Sequence, residues 1–457
     1  MQVSDTKKEE KSSLPSLKIK DIESSISQEK SSTGFMNVLI NKSFLILWLG
    51  QIFSQLADKI YLVLIIAIIS NNFQAEGQSI SGWVSLVMIA FTIPAVLFGS
   101  LAGVYVDRWS KKVVLVMSNL LRGLLVLMIP FCLSIDNINQ EIFSLPFAFW
   151  LILFITLSVS TFTQFFAPAE QATIPLIVKK QDLLAANTFY TTTMMGMLII
   201  GFAIGDPLLV LVSNWGKKFS FNYGQELLVG ASYVLAGLIL IILNTQEKNQ
   251  DKQTEEKHPF EDIKEGLRYL GKNHRVRNAL FQLVILFSIF AALAVLAVRL
   301  AETIPGMEAS QFGYLLASAG VGIAIGGTFV THQGRMTSHA KLCFWGSIGM
   351  AGALTGLSVV TNNLVLALTM TVILGFFAAL VGVPMQTTIQ AETPPEMRGK
   401  VFGLQNNAVN IALSLPLALA GVAETYFGLR IVLITLALLA VGGSALTSVI
   451  TAKPGTN

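Results

Sequence analysis

The sequence predicts an all-α membrane protein of twelve transmembrane helices arranged as two six-helix bundles. Composition, hydropathy pattern and the placement of basic residues carry that expectation. Of 457 residues, 53% are hydrophobic and 13% charged, whereas soluble domains carry about 25% charged residues. The charges fall almost entirely between long apolar runs. A hydrocarbon core about 30 Å thick needs about 20 apolar residues per helix. Backbone groups must satisfy one another there because water is absent.

The runs predict helices near 44–70, 81–105, 113–134, 147–168, 186–212 and 226–243. A second set is predicted near 278–301, 311–331, 341–361, 364–384, 401–424 and 428–450. Residues 1–43 read as a polar cytoplasmic tail without the apolar core of a signal peptide. The first bundle then spans 44–243, a central loop 244–277, the second bundle 278–451 and a short tail 452–457. The second part of the central loop predicts an amphipathic helix, with Phe260, Ile263, Leu267 and Leu270 on one face. Such a helix lies on the membrane surface with its basic residues toward headgroups.

Basic residues set the orientation. With the N-terminus in the cytoplasm, Arg108, Lys111, Lys112, Lys179, Lys180, Arg335, Lys341, Arg398 and Lys400 fall in cytoplasmic loops. Lys217, Lys218 and Arg430 fall outside. The even helix count returns the C-terminus to the cytoplasm, in a multi-pass protein of the cell membrane. Gln171-Ala172-Thr173-Ile174 after helix four and Gln386-Thr387-Thr388-Ile389 after helix ten both follow a proline and precede a charged loop. Their equivalent places suggest a parallel internal repeat.

Catalytic motifs are missing. His258, His274, His332 and His339 lie in predicted loops, and there is no H-E-x-x-H, C-x-x-C or G-x-x-x-x-G-K-[ST] pattern. Without a phosphate loop, direct ATP drive is not expected. The chain is read as not an enzyme, and no cofactor or metal is expected. Cys132 and Cys343, both in predicted helices, read as packing residues rather than a disulfide.

The clearest motif runs Gly99-Ser-Leu-Ala-Gly103-Val-Tyr-Val-Asp107-Arg108-Trp-Ser-Lys111-Lys112. Here the chain resembles the major facilitator superfamily, whose loop between helices two and three reads G-x-x-x-D-R-x-x-R-K. Gly99 and Gly103 form a small-xxx-small face suited to close helix approach. Asp107 could face the positive end of a neighbouring helix. The resemblance implies that Gly99, Gly103, Asp107, Arg108, Lys111 and Lys112 act as a gating motif. Simple anchoring by the basic residues is the plainer alternative.

The stretches Ala167–Val178, Leu183–Asn187, Glu261–Tyr269 and Pro395–Gly403 resemble macrolide-efflux-like members, which are proton-coupled drug exporters. Siderophore exporters and lysophospholipid transporters are also similar. There are departures. Residues 147–168 contain no Arg, and Asp206 interrupts the Gly-Pro pair that an antiporter pattern would place in helix five. The second-half counterpart of the loop motif, Gly326 to Lys341, has no acidic residue.

Ionisable residues at membrane depth are costly and therefore functional candidates. Asp58 lies about 22 Å along the first helix at 1.5 Å per residue. Gln51, Ser54, Gln55 and Asp58 form one polar stripe. The resemblance places helices one, four, seven and ten around a central cavity, so Asp58 is a candidate to bind a proton or substrate. The rival is an ion pair with Lys59 or Arg122. Asp206 is a second proton candidate or a helix-end polar group. Arg122 reads as a structural pairing residue. Glu170, at the end of helix four, is either a gate contact or a solvated carboxylate. Arg299 and Glu302 could pair at i, i+3 as an outer gate. Gln164, Gln386, Asn406, Asn407 and Asn410 could bond substrate or each other.

The expected function is proton-coupled export of a small amphipathic compound, drug-like, macrolide-like or siderophore-like, by alternating access. A lysophospholipid or other lipid flippase is the alternative. From another class, a membrane sensor or assembly factor on a transporter fold remains. Expected partners are the lipid bilayer, a small-molecule substrate and protons as coupling ion, with no nucleic acid. The resemblance implies a monomer.

Overall fold

A computed structural model describes residues 36–75, 78–134, 141–142, 145–218, 222–245, 259–333, 338–360, 363–394 and 397–452. The first half holds α1 (Lys42–Asn72), α2 (Ser81–Arg108), α3 (Lys111–Leu133), α4 (Phe147–Ile177), α5 (Leu183–Lys218) and α6 (Gly224–Ile241). A connector helix, Pro259–Lys272, leads to the second half. That half holds α7 (His274–Thr303), α8 (Gly313–Gln333), α9 (His339–Val359), α10 (Leu364–Glu392), α11 (Arg398–Phe427) and α12 (Leu429–Ala452). Ten helices among the described residues are long and apolar enough to cross a membrane. The apolar stretches Ile411–Phe427 and Leu429–Ala445 lie in α11 and α12. The tails at 1–35 and 453–457, and 246–258 of the central loop, lie outside the described residues.

Polar residues mark the helix starts. Asn41, Asn273 and Asn363 each accept a hydrogen bond from the backbone N–H three residues on, opening α1, α7 and α10. This satisfies one of the donors a helix leaves free at its N-terminus. Gly428 turns the chain from α11 to α12 at φ +81°, a conformation other residues rarely adopt. His274 and His339 open α7 and α9 and His332 lies in α8, so these three are helical rather than in loops. His258 lies outside the described residues.

Two helices outrun their expected ends. Helix α4 continues past Pro168 to Ile177, and α10 past Pro384 to Glu392. Hydroxyls bond back to carbonyls beside the prolines: Thr173 to Ala169, and Thr388 to Pro384 itself. Side-chain contacts of this kind let a membrane helix tolerate proline. The two Gln-x-Thr-Ile repeats therefore lie inside the helices. Each glutamine sits six residues before its helix end, at Ile177 and Glu392.

Within the first half, α1 packs on α5 and α6, and α3 on α4 and α6. Within the second, α8 and α9 pack on α10, and α7 on α11. Across the halves, α2 meets α11 and α5 meets α8. One apolar cluster runs through both halves, from Ile65 and Val84 to Leu300 and Phe312. A second cluster, with Phe44, Leu115, Phe166 and Leu240, has members in the first half alone. It lies at the end carrying Arg108. The shared core joins the halves toward the opposite end, where Glu302 sits.

Candidate functional site

Arg122 of α3 is fully buried, and its guanidinium is tied to three neighbouring helices. One terminal nitrogen donates to Asp58 Oδ1 of α1 at 3.0 Å and to Thr163 Oγ1 of α4 at 3.3 Å. The other donates to Ser54 Oγ of α1 at 3.0 Å and to Asn119 Oδ1 at 2.8 Å. Its Nε donates to the Ser118 carbonyl at 3.2 Å. The planar group lies between two rings, 4.7 Å from the Phe166 centroid on α4 and 4.8 Å from that of Tyr233 on α6. Tyr233 also donates its phenol to Asp58 Oδ1 at 2.6 Å. A buried charge is tolerated when it is paired and its donors are satisfied. A weakly hydrated, planar guanidinium suits such a cage better than an ammonium.

Two glycines bring α3 and α6 together beside this cage. A Cβ at Gly123 would lie 2.8 Å from the Gly230 carbonyl, and one at Gly230 would lie 3.1 Å from that of Gly123. Close backbone approach at small residues is how membrane helices pack tightly.

The polar stripe of α1 thus divides. Ser54 and Asp58 join the Arg122 cage, while buried Gln51 donates to the Tyr190 carbonyl of α5 at 3.1 Å. Gln55 is half-buried. Asp58 points among α1, α3, α4 and α6 rather than standing alone on a cavity wall, yet its side chain keeps 18% exposure. Its partner is Arg122; Lys59 packs the other way, against Gly201 of α5.

Glu170 is a correction. It is 1% exposed, so it is not a solvated carboxylate. Helix α4 runs two turns beyond it, and Tyr190 of α5 lies against it, outside regular hydrogen-bond geometry. Both carboxyl oxygens lack a hydrogen-bond partner among the described residues. Glu170 lies one turn from Phe166, within electrostatic reach of Arg122 and Asp58.

A second polar group bridges the two halves. Arg299 of α7 donates to Glu302 at 2.8 Å and to Glu424 of α11 at 3.0 Å. From the first half, Gln74 donates to Glu302 at 2.7 Å and Ser79 to Glu424 at 2.8 Å. Nearby, a Cβ on Gly421 of α11 would collide with Ser85 of α2. Asp206 is buried beside this group, on a polar cavity of about 430 Å³ that Glu302, Glu308 and Lys217 also line.

The other candidates separate. Gln164 bonds the Ser160 carbonyl of its own helix at 3.4 Å. Gln386 accepts from Gln405 at 2.6 Å, linking α10 to α11. The side chains of Asn406, Asn407 and Asn410 lie outside the described residues, as does that of Asp107. In the loop motif, Arg108 is exposed and Lys111 and Lys112 are half-buried. Gly99 is half-buried. Among the described residues, a Cβ at Gly103 would meet no atom within 4 Å, so no close helix approach is seen there. Sequence reasoning missed Tyr233, Thr163, Phe166, Gln74, Ser79 and Glu424. Gly230 and Gly237 flanking Tyr233 were a usable signal, since they mark a closely packed face.

Comparison with known proteins agrees with this architecture. The model of the Major Facilitator Superfamily matches residues 47–417. The Bacillus subtilis MFS-type transporter YfiS is 23% identical over 85% of this chain and 88% of its own length. The "Putative bacilysin exporter BacE" of Bacillus subtilis is 24% identical over 80% of this chain and 84% of its own. A bacterial homologue of the human lysosomal transporter Spinster, solved inward-facing and unoccupied, superposes with TM-score 0.67 at 15% identity. That match covers 94% of this chain and 99% of the other. The chain is a multi-pass membrane transporter, not an enzyme, and it belongs to the Major Facilitator Superfamily.

Proposed function

We propose that this transporter exports a small amphipathic compound in exchange for protons, by alternating access in the cell membrane. The observation that carries the reading is the Asp58–Arg122 pair, held at 3.0 Å inside the first bundle with Asp58 still partly exposed. Ionisable groups at membrane depth mark ion pathways. A proton on Asp58 removes the counter-charge of Arg122, whose contacts reach α1, α4 and α6 from α3. Packing among those helices then has to change. Glu170 offers a second carboxyl within the same field.

The Glu302 end is the outer side in this reading, with both termini in the cytoplasm. The Arg299–Glu302–Glu424 group holds the outer end shut while the Arg108 end faces the cytoplasm. Asp58 takes its proton from outside and releases it inside as substrate leaves. The exporter named among the relatives supports the direction.

The test pairs the wild type with Asp58→Asn in an efflux-deficient bacterium, at matched membrane levels. Retention of dyes, macrolides, siderophores and lysolipids is followed with and without a protonophore. Proton-coupled export requires that the wild type lowers retention of some compound, and that both protonophore and substitution abolish the effect. Equal retention in wild type and empty vector would remove the reading.

A further inference from the structure

The connector helix, α7 and α11 enclose an apolar groove of about 610 Å³ that no element among the described residues fills. Its walls include Leu267 of the connector, Phe281 and Val284 of α7, and Ile411 and Leu415 of α11. Leu267, Phe281, Ile411 and Leu415 are each more than half exposed. Two of the walls are membrane-crossing helices, so these side chains face hydrocarbon rather than water. The groove runs along α7 from Arg277 to Ser288, eleven residues or about 16 Å at 1.5 Å per residue. That is about half of the ~30 Å hydrocarbon thickness, the depth of one leaflet.

One cation lines the mouth of the groove. Arg277 lines it, half-buried, with its guanidinium 2.7 Å from His274 Nδ1. Among the described residues it has no carboxylate within ion-pair distance, whereas neighbouring Arg275 is paired with Glu392 at 3.1 Å. The connector carries three basic residues, Lys264, Arg268 and Lys272, and three acidic ones, Glu261, Asp262 and Glu265, so the charge that distinguishes the groove is that of Arg277. The connector is amphipathic: Gly266 and Leu270 are buried against the bundle while the basic residues face out. A helix of that kind lies at headgroup level.

We propose that this groove holds one anionic phospholipid from the leaflet on the Arg108 side. An acyl chain fills the recess, and the phosphate pairs with Arg277. The lipid fastens the connector helix to α7 and α11. The proposal is independent of the transported compound and of proton coupling. An ordinary boundary lipid has no reason to prefer one headgroup, because it touches a smooth helix face. This recess combines a chain-length slot with a cation that, among the described residues, has no carboxylate partner at headgroup depth, and that combination selects negative charge.

The test uses the purified full chain in detergent. Retained lipid is read by native mass spectrometry, and thermal unfolding is followed as phosphatidylglycerol, phosphatidylcholine or inorganic phosphate is added. Arg277→Gln removes the charge, Ala412→Phe fills the groove, and Arg430→Gln at the opposite end is the control. The expected result is one retained phosphatidylglycerol and a raised unfolding temperature in wild type and Arg430→Gln. Arg277→Gln should bind it about tenfold more weakly, as losing one charge-assisted contact predicts. Ala412→Phe should not retain it. Phosphatidylcholine and inorganic phosphate should leave the unfolding temperature unchanged. Equal stabilisation by phosphatidylcholine, or an undiminished phosphatidylglycerol effect in Arg277→Gln, overturns the proposal. So does a response to inorganic phosphate alone. Arg277→Gln is at a partly exposed position and tests the idea even if Ala412→Phe fails to fold.

Discussion

Arg122 and Tyr233 stack with the guanidinium 4.8 Å from the ring centroid, and both donate to the same oxygen of Asp58. The cation and the phenol therefore compete for one carboxylate while holding each other in place. Removing any one of the three changes the surroundings of the other two.

Arg122→Ala should lower the free energy of unfolding by about 3–5 kcal/mol, the usual effect of breaking a buried ion pair. The double substitution Asp58→Asn/Arg122→Ala should lose less than the sum of the single losses, with a coupling of at least about 1 kcal/mol. Thermal unfolding of the four proteins in one detergent gives the answer; additive losses would mean the pair is not coupled.

Glu424→Gln keeps the side-chain shape but removes one charge from the inter-half group. A charge-assisted hydrogen bond contributes about 1.5–3 kcal/mol, enough to shift a two-state population about tenfold or more. Spin labels at Gln78 and Tyr426 flank this end from opposite halves. Their distance distribution should gain a longer population in Glu424→Gln, and an unchanged distribution would show that the group does not hold the end closed.

Two glycines should respond in opposite ways. Gly421→Val places a branched side chain where Ser85 sits, so the same labels should move apart. Among the described residues, Gly103→Ala meets open space. It should leave stability unchanged or raise it by up to about 1 kcal/mol, the helix-propensity gain. A clear loss of stability in Gly103→Ala would point to a contact at this position in another state of the transporter.

Glu170→Gln should keep the unfolding temperature within a few degrees while flattening the dependence of transport on external pH. If the carboxyl is only structural, the reverse pattern is expected: a large fall in unfolding temperature with the pH profile intact.

The fold was largely legible because a bilayer leaves few choices. Apolar runs and basic loops place α1 and α7, and the start of α10, to within a few residues of what is observed. The ends of α4 and α10 were misread because Pro168 and Pro384 look like stops, and the hydroxyls that rescue the backbone are visible only in three dimensions. At the site, Asp58, Arg122, Arg299 and Glu302 could be picked out as charges in apolar surroundings. Their partners could not. Thr163, Phe166 and Tyr233 are ordinary helix residues until α4 and α6 fold against α3. Glu424 joins Arg299 across 125 residues of chain. Periodicity reports which face a residue occupies, not which distant face it meets.

The unequal wiring of Arg122 and Asp58 also bears on how the chain can drift over generations. Asp58 receives two bonds, from Arg122 and Tyr233, whereas Arg122 donates to five groups and rests between two rings. A lineage that loses the carboxylate first still has a guanidinium with four donor contacts in place. A lineage that loses the guanidinium first strips Thr163, Ser54, Asn119 and Asp58 of a common neighbour in one step. The four remaining contacts carry no charge, so losing Asp58 alone strands a buried cation and losing Arg122 alone strands its acceptors; descendants should keep or lose the two residues together.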